Sequence, residues 1–397
     1  MRSTKAAGLA MSAAALALVM TLVLAFAASG QPGKRRPGFQ GPGRPGPALR
    51  GGPRNFHQGG PPAGKSANSN VPIYDVHMHI IGGAHNTKFG SAVDAALALM
   101  DRYGVRKAVT MSPPRSPQIK QNFDYPDFIQ DVRAHPRRLA FMGGGGLLNP
   151  LMHGVPDPAM VTEAIRVKFA DTARQILQAG ARGFGEMSSL HMSLSPTHGY
   201  NFVPADHPLL LLLADIAAEH DVPIDLHMDA LAKSIPTPQR LAHNQNPPTL
   251  PATIPALRRL LEHNPKAKIV WAHGGSDHAG DQTAALVGRM MDRYPNLYVS
   301  LRPVPPRAPV MNKLFTAKRI DPAWRKVFTR HADRFVIGND CFVLPPEVKS
   351  GGAPFEFSQS NDRRLRATRI FLGLLPPALA RKFAYENAAR LYKLGGP

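Results

Sequence analysis

His77-Met78-His79 sets two imidazoles two residues apart in the run Ile73-Tyr74-Asp75-Val76-His77-Met78-His79. Residues at that spacing on a strand point to one face, so both rings can meet one ion. Two more histidines end apolar runs: His227 in Pro223-Ile224-Asp225-Leu226-His227, and His273 in Ile269-Val270-Trp271-Ala272-His273. Asp340 follows Phe335-Val336-Ile337-Gly338-Asn339. Neutral imidazole nitrogen and carboxylate oxygen suit Zn²⁺ and related divalent ions. A lone His-x-His is weak evidence. Separate strand ends that each carry a potential ligand predict a divalent-metal site, with Zn²⁺ the first candidate and one ion or two. His135, His220, His263 and His331 fall near helix C-termini, where a cationic ring suits the helix dipole.

The elements that must position these groups alternate. Strand patterns fall at residues 73–78, 107–111, 139–143, 182–187, 223–228, 268–272, 297–301 and 334–338. Helical patterns fall at 93–103, 125–135, 161–179, 209–220, 254–263, 283–294, 322–331, 363–374 and 378–394. Alternating strands and helices imply parallel pairing, since a parallel neighbour needs a crossover. Eight such units predict an α/β fold, a (β/α)₈ TIM-type barrel. A doubly wound open sheet is the alternative, weakened by the lack of a glycine-rich dinucleotide loop after the first strand. In a closed barrel His77, His79, His227, His273 and Asp340 gather at the carboxyl ends of the strands, where catalytic groups collect.

At these residues the chain resembles the amidohydrolase superfamily, and most of all the amidohydrolase-related group that includes aminocarboxymuconate semialdehyde decarboxylase. The resemblance is carried by His77-Met78-His79, Gly183-Phe184-Gly185-Glu186, His227, Ala272-His273-Gly274-Gly275, Gly338-Asn339-Asp340 and Glu386-Asn387-Ala388-Ala389-Arg390-Leu391. It implies that His77, His79 and His227 are metal ligands, with Asp340 as ligand or as partner of the metal-bound water. It implies that His273 orients water or polarises the substrate. Glu186 stands where many relatives carry a carboxylate or a carbamylated lysine, and it either binds metal or lines the pocket. Asn339-Asp340-Cys341 departs from the usual residues around that aspartate.

The expected reaction is metal-assisted hydrolysis of a small, carboxylated substrate. Asp340 then serves as general base and later acid, and His273 stabilises charge on a carbonyl oxygen. Non-oxidative decarboxylation on the same site is an alternative. A metal-dependent nuclease or phosphoesterase and a non-catalytic envelope-binding protein are two more, although no specific nucleic acid partner is expected. Arg115, His191, Lys233 and Arg302 follow strands and are candidates for the pocket. Arg302 is the best placed to clamp a carboxylate. The loops at 188–206 and 230–251 are long enough to form a lid.

Charge is uneven along the 397 residues. The first 70 hold nine Lys/Arg and no acid, out of 48 Lys+Arg and 27 Asp+Glu in all. Arg2 and Lys5 precede an uncharged, Ala- and Leu-rich stretch at 6–30, the pattern of a signal peptide over residues 1–28 or of an uncleaved anchor. Residues 31–65 hold eight Pro and ten Gly, so 29–70 reads as a disordered basic linker ahead of a domain at 71–397. Export to a bacterial periplasm is expected, with residues 1–65 touching membrane or cell envelope. The single Cys341 excludes an intramolecular disulfide and any cysteine-cluster metal site.

Overall fold

Ile73–Ile80 is buried at every position. A run buried on both faces belongs in a parallel sheet covered on both sides. In the computed structural model of the chain, the described residues are 70–83, 85–117, 122–242, 245–350 and 352–396. The expected signal segment and all but the last residue of the expected linker lie outside them.

Eight strands carry the fold. They are β1 (Ile73–Ile80), β2 (Val105–Met111), β3 (Leu139–Phe141), β4 (Phe184–His191), β5 (Pro223–Met228), β6 (Lys268–Gly274), β7 (Leu297–Leu301) and β8 (Phe335–Ile337). They pair in parallel in the order β3-β2-β1-β8-β7-β6-β5-β4. Gly143–Gly144, one residue beyond β3, pairs with β4, so the sheet closes on itself. That closure excludes the open, doubly wound alternative.

A helix follows each strand: α1 (Phe89–Tyr103), α2 (Tyr125–Arg133), α3 (Glu163–Gln178), α4 (Pro208–Glu219), α5 (Ile254–His263), α6 (Ala284–Arg293), α7 (Pro322–Arg330) and α8 (Asn361–Gly373). Their starts are encoded locally. Asp321 accepts from the Ala323 and Trp324 amides and Pro322 opens α7, while Asp124 and Asp127 form a reciprocal capping box on α2. The expected last helix is instead three pieces, Pro377–Arg381, the π-helical Lys382–Glu386, and Asn387–Leu391. Asn387 anchors it by donating to the Ala332 and Phe335 carbonyls, and a π turn fits an extra residue into such a segment.

Inside the barrel Tyr74, Val76, Val109, Met142, Val270 and Val336 pack with Ala388, Leu391 and Tyr392 of that closing segment. The floor is thereby sealed, and the polar strand ends are left at the opposite mouth. Irregular pairing re-aims the strands there. Tyr74 and Val76 belong to this inner cluster, whereas Met78 and Ile80 pack in the outer one with the helices. The register of β1 against β2 shifts between Asp75 and Met78, so His77 and His79 turn inward. β6 shifts likewise between Trp271 and Gly274, where His273 takes φ 64°.

Candidate metal centre

His77 and His79 are fully buried, and their Nε2 atoms lie 3.2 Å apart. Each ring is oriented from behind. His77 Nδ1 sits 3.2 Å from both oxygens of the buried Asp225, and His79 Nδ1 donates to the Met111 carbonyl at 3.0 Å. Both Nδ1 atoms therefore carry the proton, and two Nε2 lone pairs are left facing each other. Such an arrangement is the carboxylate–histidine pattern behind metal ligands.

Glu186 faces this pair with one oxygen and a second pair with the other. Its Oε2 is 3.4 Å from His77 Nε2 and 3.3 Å from His79 Nε2. Its Oε1 is 2.6 Å from His227 Nδ1 and 3.0 Å from His273 Nε2. Asp340 Oδ1 completes the first side, 3.2 Å from His79 Nε2 and 4.0 Å from His77 Nε2. Three overlapping donor sets result: His77/His79/Glu186, His77/His273/Asp340, and Glu186/His227/His273, each with its atoms within 4.8 Å of one another. Donors about 2.0–2.1 Å from a tetrahedral ion stand about 3.3 Å apart, so the spacing of His77, His79 and Glu186 fits a divalent cation, with Asp340 beside it. His273 Nδ1 is buried without a hydrogen bond.

The electrostatics match a site built for positive charge. Burial opposes ionisation of Glu186, but His77 and His227 outweigh it and hold the carboxyl well below its usual range. Burial likewise opposes the charge of Asp340, and Arg302, Arg364 and His273 outweigh it. His77 is raised well above an ordinary imidazole by Asp225 and Glu186 against burial, and His227 is pushed up to about 10 by Glu186 and Asp229 against the same penalty. Burial pushes His273 down to about 3.

The turn that presents Asp340 is tied to β1. Asp75, fully buried, accepts from the His77 and Asn339 amides and from Asn339 Nδ2. Asn339 Oδ1 accepts from Thr368, and the Asp340 amide donates to the His77 carbonyl. The unusual Asn339 is thus the bracket between β1 and α8.

Arg302 Nη1 lies 3.0 Å from Asp340 Oδ2, with Arg364 Nη1 at 3.6 Å from the same oxygen. Arg302 is therefore engaged with Asp340, while its buried Nε makes no hydrogen bond. His191 ends β4, its Nδ1 lying 3.0 Å from the Gly199 carbonyl. β4 runs four residues beyond its expected end because its upper part pairs with β5 and, antiparallel, with Asn201–Phe202. The loop expected from residue 188 begins after His191. Ring contacts run from His79 through Phe342, Phe357, His198 and His191 to His227, with centroids 4.3 to 5.2 Å apart. Arg115 instead lies over the Phe123 ring at 4.8 Å, and Lys233 is exposed.

Asp225, Asp75 and Arg364 are not among the residues that the sequence singles out, and Asn339 stands out only as a departure from the usual pattern. Asp225 had a readable signal, an acid two residues before His227 on an otherwise apolar strand. Arg364 had none, being one of four arginines in Arg363-Arg364-Leu365-Arg366-Ala367-Thr368-Arg369.

Comparison with known families matches residues 74–394 to the family described as amidohydrolase. The chain belongs to that family. Among solved structures it is similar to an amidohydrolase II, at 14% identity over 81% of this chain and 99% of the other, TM-score 0.44. It is similar to 5-carboxyvanillate decarboxylase from Novosphingobium aromaticivorans, a structure holding manganese and 4-hydroxy-3-methoxy-5-nitrobenzoic acid, at 13% identity over 82% and 97%, TM-score 0.43. It is also similar to amidohydrolase 2 from Bifidobacterium longum subsp. infantis, at 13% identity over 82% and 100%, TM-score 0.42. No curated protein matches.

Proposed function

We propose that this chain is a metal-dependent hydrolase acting on a small, carboxylated substrate. The observation that carries the reading is the pair of Nε2 lone pairs of His77 and His79, aimed at each other and at Glu186 and Asp340. His77, His79, Glu186, Asp340 and His227 would hold one ion or two, Zn²⁺ first by donor type. A divalent ion there lowers the pKa of a bound water to about 7 and polarises a carbonyl.

The protein's own groups do the rest. Asp340 presents Oδ1 to the cluster and is kept ionised by Arg302 and Arg364, so it is ready to receive a proton. His273, held neutral by burial, lies beside Glu186 and can donate to a developing oxyanion. Arg302 offers its free Nε to a substrate carboxylate, and His191 belongs to the wall of rings that leads to His227.

The same guanidiniums favour a second reading. A carboxylate held so far below its usual range is a weak base, which suits non-oxidative decarboxylation, where no water has to be deprotonated.

Metal content of the purified full chain tests the first claim. His77→Ala is expected to lose stoichiometric metal, and Asp340→Asn to keep most of it while losing turnover. Metal retained by His77→Ala would end the reading. With a substrate in hand, ¹⁸O from solvent water entering the product marks hydrolysis, and released CO₂ marks decarboxylation.

We further propose export, with residues 1–65 meeting an anionic envelope surface, on the strength of the basic start, the apolar stretch and the basic Pro/Gly segment. No described helix is long and apolar enough to cross a membrane, and residues 6–30 lie outside the described set. N-terminal sequencing of the mature chain tests this proposal. An intact Met1 on a chain whose residues 71–397 are found in the cytoplasm would refute it.

A further inference from the structure

β4 loses its neighbour just where it carries Glu186. β3 is three residues long, and Gly143–Gly144 pairs only with Phe184 and Gly185. The chain then leaves the sheet and turns into the short helix Leu148–His153. From Glu186 to Ser188 no strand covers that edge of β4 among the described residues. The edge resumes a partner at Ser189, whose carbonyl accepts from the Val203 amide, and then at Leu190 and His191, opposite Asn201–Phe202. An unpaired stretch of buried backbone is costly and imprecise, because its amides and carbonyls need partners.

Two side chains of the short helix supply them. Asn149, fully buried, donates from Nδ2 to the Glu186 carbonyl at 2.6 Å and accepts from the Ser188 amide at Oδ1 at 3.0 Å. Those two bonds flank Met187 as the backbone of a parallel neighbour would. Four residues on, at the helical spacing that keeps two side chains on one face, His153 Nε2 lies 3.1 Å from the Ser188 carbonyl and 2.9 Å from Ser188 Oγ. The other edge of the same segment is held by β5, where Met187 pairs with Leu226 and Ser188 with His227.

We propose that Asn149 and His153 are positioning residues that replace the missing strand and fix Glu186 between the two histidine pairs. Glu186 must place Oε2 within 3.4 Å of one pair and Oε1 within 3.0 Å of the other, so a small slip of its main chain breaks one side. The proposal rests on the reading of Glu186 as a metal ligand.

Cobalt(II) titration of the full chain is the test, read by visible absorption for coordination and by chelator competition for affinity. Asn149→Ala is expected to weaken cobalt binding by about tenfold or more and to alter the same absorption bands as Glu186→Gln. Asn149→Asp keeps the acceptor for the Ser188 amide and loses the donor to Glu186, so it is expected to fall between Asn149→Ala and wild type. His153→Gln, which retains a side-chain N–H donor, is expected to bind closer to wild type than His153→Ala does. Should Asn149→Ala fail to fold, judged by circular dichroism, Asn149→Asp and the His153 pair give the same comparison. Variants that melt lower yet bind cobalt with unchanged affinity and spectrum would overturn the proposal, leaving both residues purely structural. If Glu186→Gln itself leaves affinity and spectrum unchanged while His77→Ala abolishes binding, the reading of Glu186 falls and the proposal falls with it.

Discussion

Asp225 is fully buried and both its oxygens lie 3.2 Å from His77 Nδ1. The contact decides which ring nitrogen of His77 keeps its lone pair. Asp225→Asn removes the charge that makes the ring a stronger ligand, and its amide can turn an N–H toward Nδ1, forcing the proton onto Nε2. Metal affinity is expected to fall by about 10–100-fold, measured by chelator competition, with little change in secondary structure. Unchanged affinity would show that the Met111–His79 bond alone orients the pair. The residue scale was the most legible one. His77, His79, His227, His273, Glu186 and Asp340 all stand at or near the ends of the strands expected from the sequence, and the structure brings all six together. Arg302 is close by but faces Asp340. Spacing places a residue on a strand and cannot show which neighbour will claim its charge.

At the scale of elements, the strand–helix alternation could be read because apolar runs and capping signals are local. Strand ends could not. His77 and His79 share a face by simple alternation, but Tyr74 and Val76, three residues and one residue before His77, occupy the inner face as well. Only the register shift between Asp75 and Met78 puts both sets inside, and a bulge is a property of the pair β1–β2 that neither segment displays alone. β8 meets β1 at Gly338 for a steric reason. A Cβ there would overlap Ser300 Oγ and stand 2.9 Å from His77 Cβ. Gly338→Ala is therefore expected to destabilise the fold by about 1–3 kcal/mol and to push His77 off its place. Thermal melting and metal content measured together check this, and a stable variant with full metal would refute it.

For the molecule as a whole, the sheer number of buried imidazoles shapes the response to acid. His153 is pushed down to about 4, chiefly by burial, with His191 and His207 adding to the shift and the Ser188 bond opposing it. An unfolded histidine titrates near pH 6.5. The contribution is complete above that value and is lost as pH falls toward 4, because the unfolded chain takes a proton that the folded one refuses. The slope from one such group is at most about 1.4 kcal/mol per pH unit. His153→Gln is expected to lose less stability than wild type between pH 7 and 5 in urea unfolding, and an identical loss would show that the His153 ring is protonated in the fold. Such burial depends on packing from α3, β4 and their loops, so it lies beyond any single stretch of sequence.

The floor of the cylinder has a temporal meaning as well. Tyr74 Oη donates to the Gly395 carbonyl across 321 positions, and Leu391 and Tyr392 fill the base beneath β1. During synthesis the first strand must wait for residues 391–395 to emerge before its lower end is covered. Until then the cylinder stands unplugged, so a nascent chain is held from its final state by a segment more than three hundred positions away.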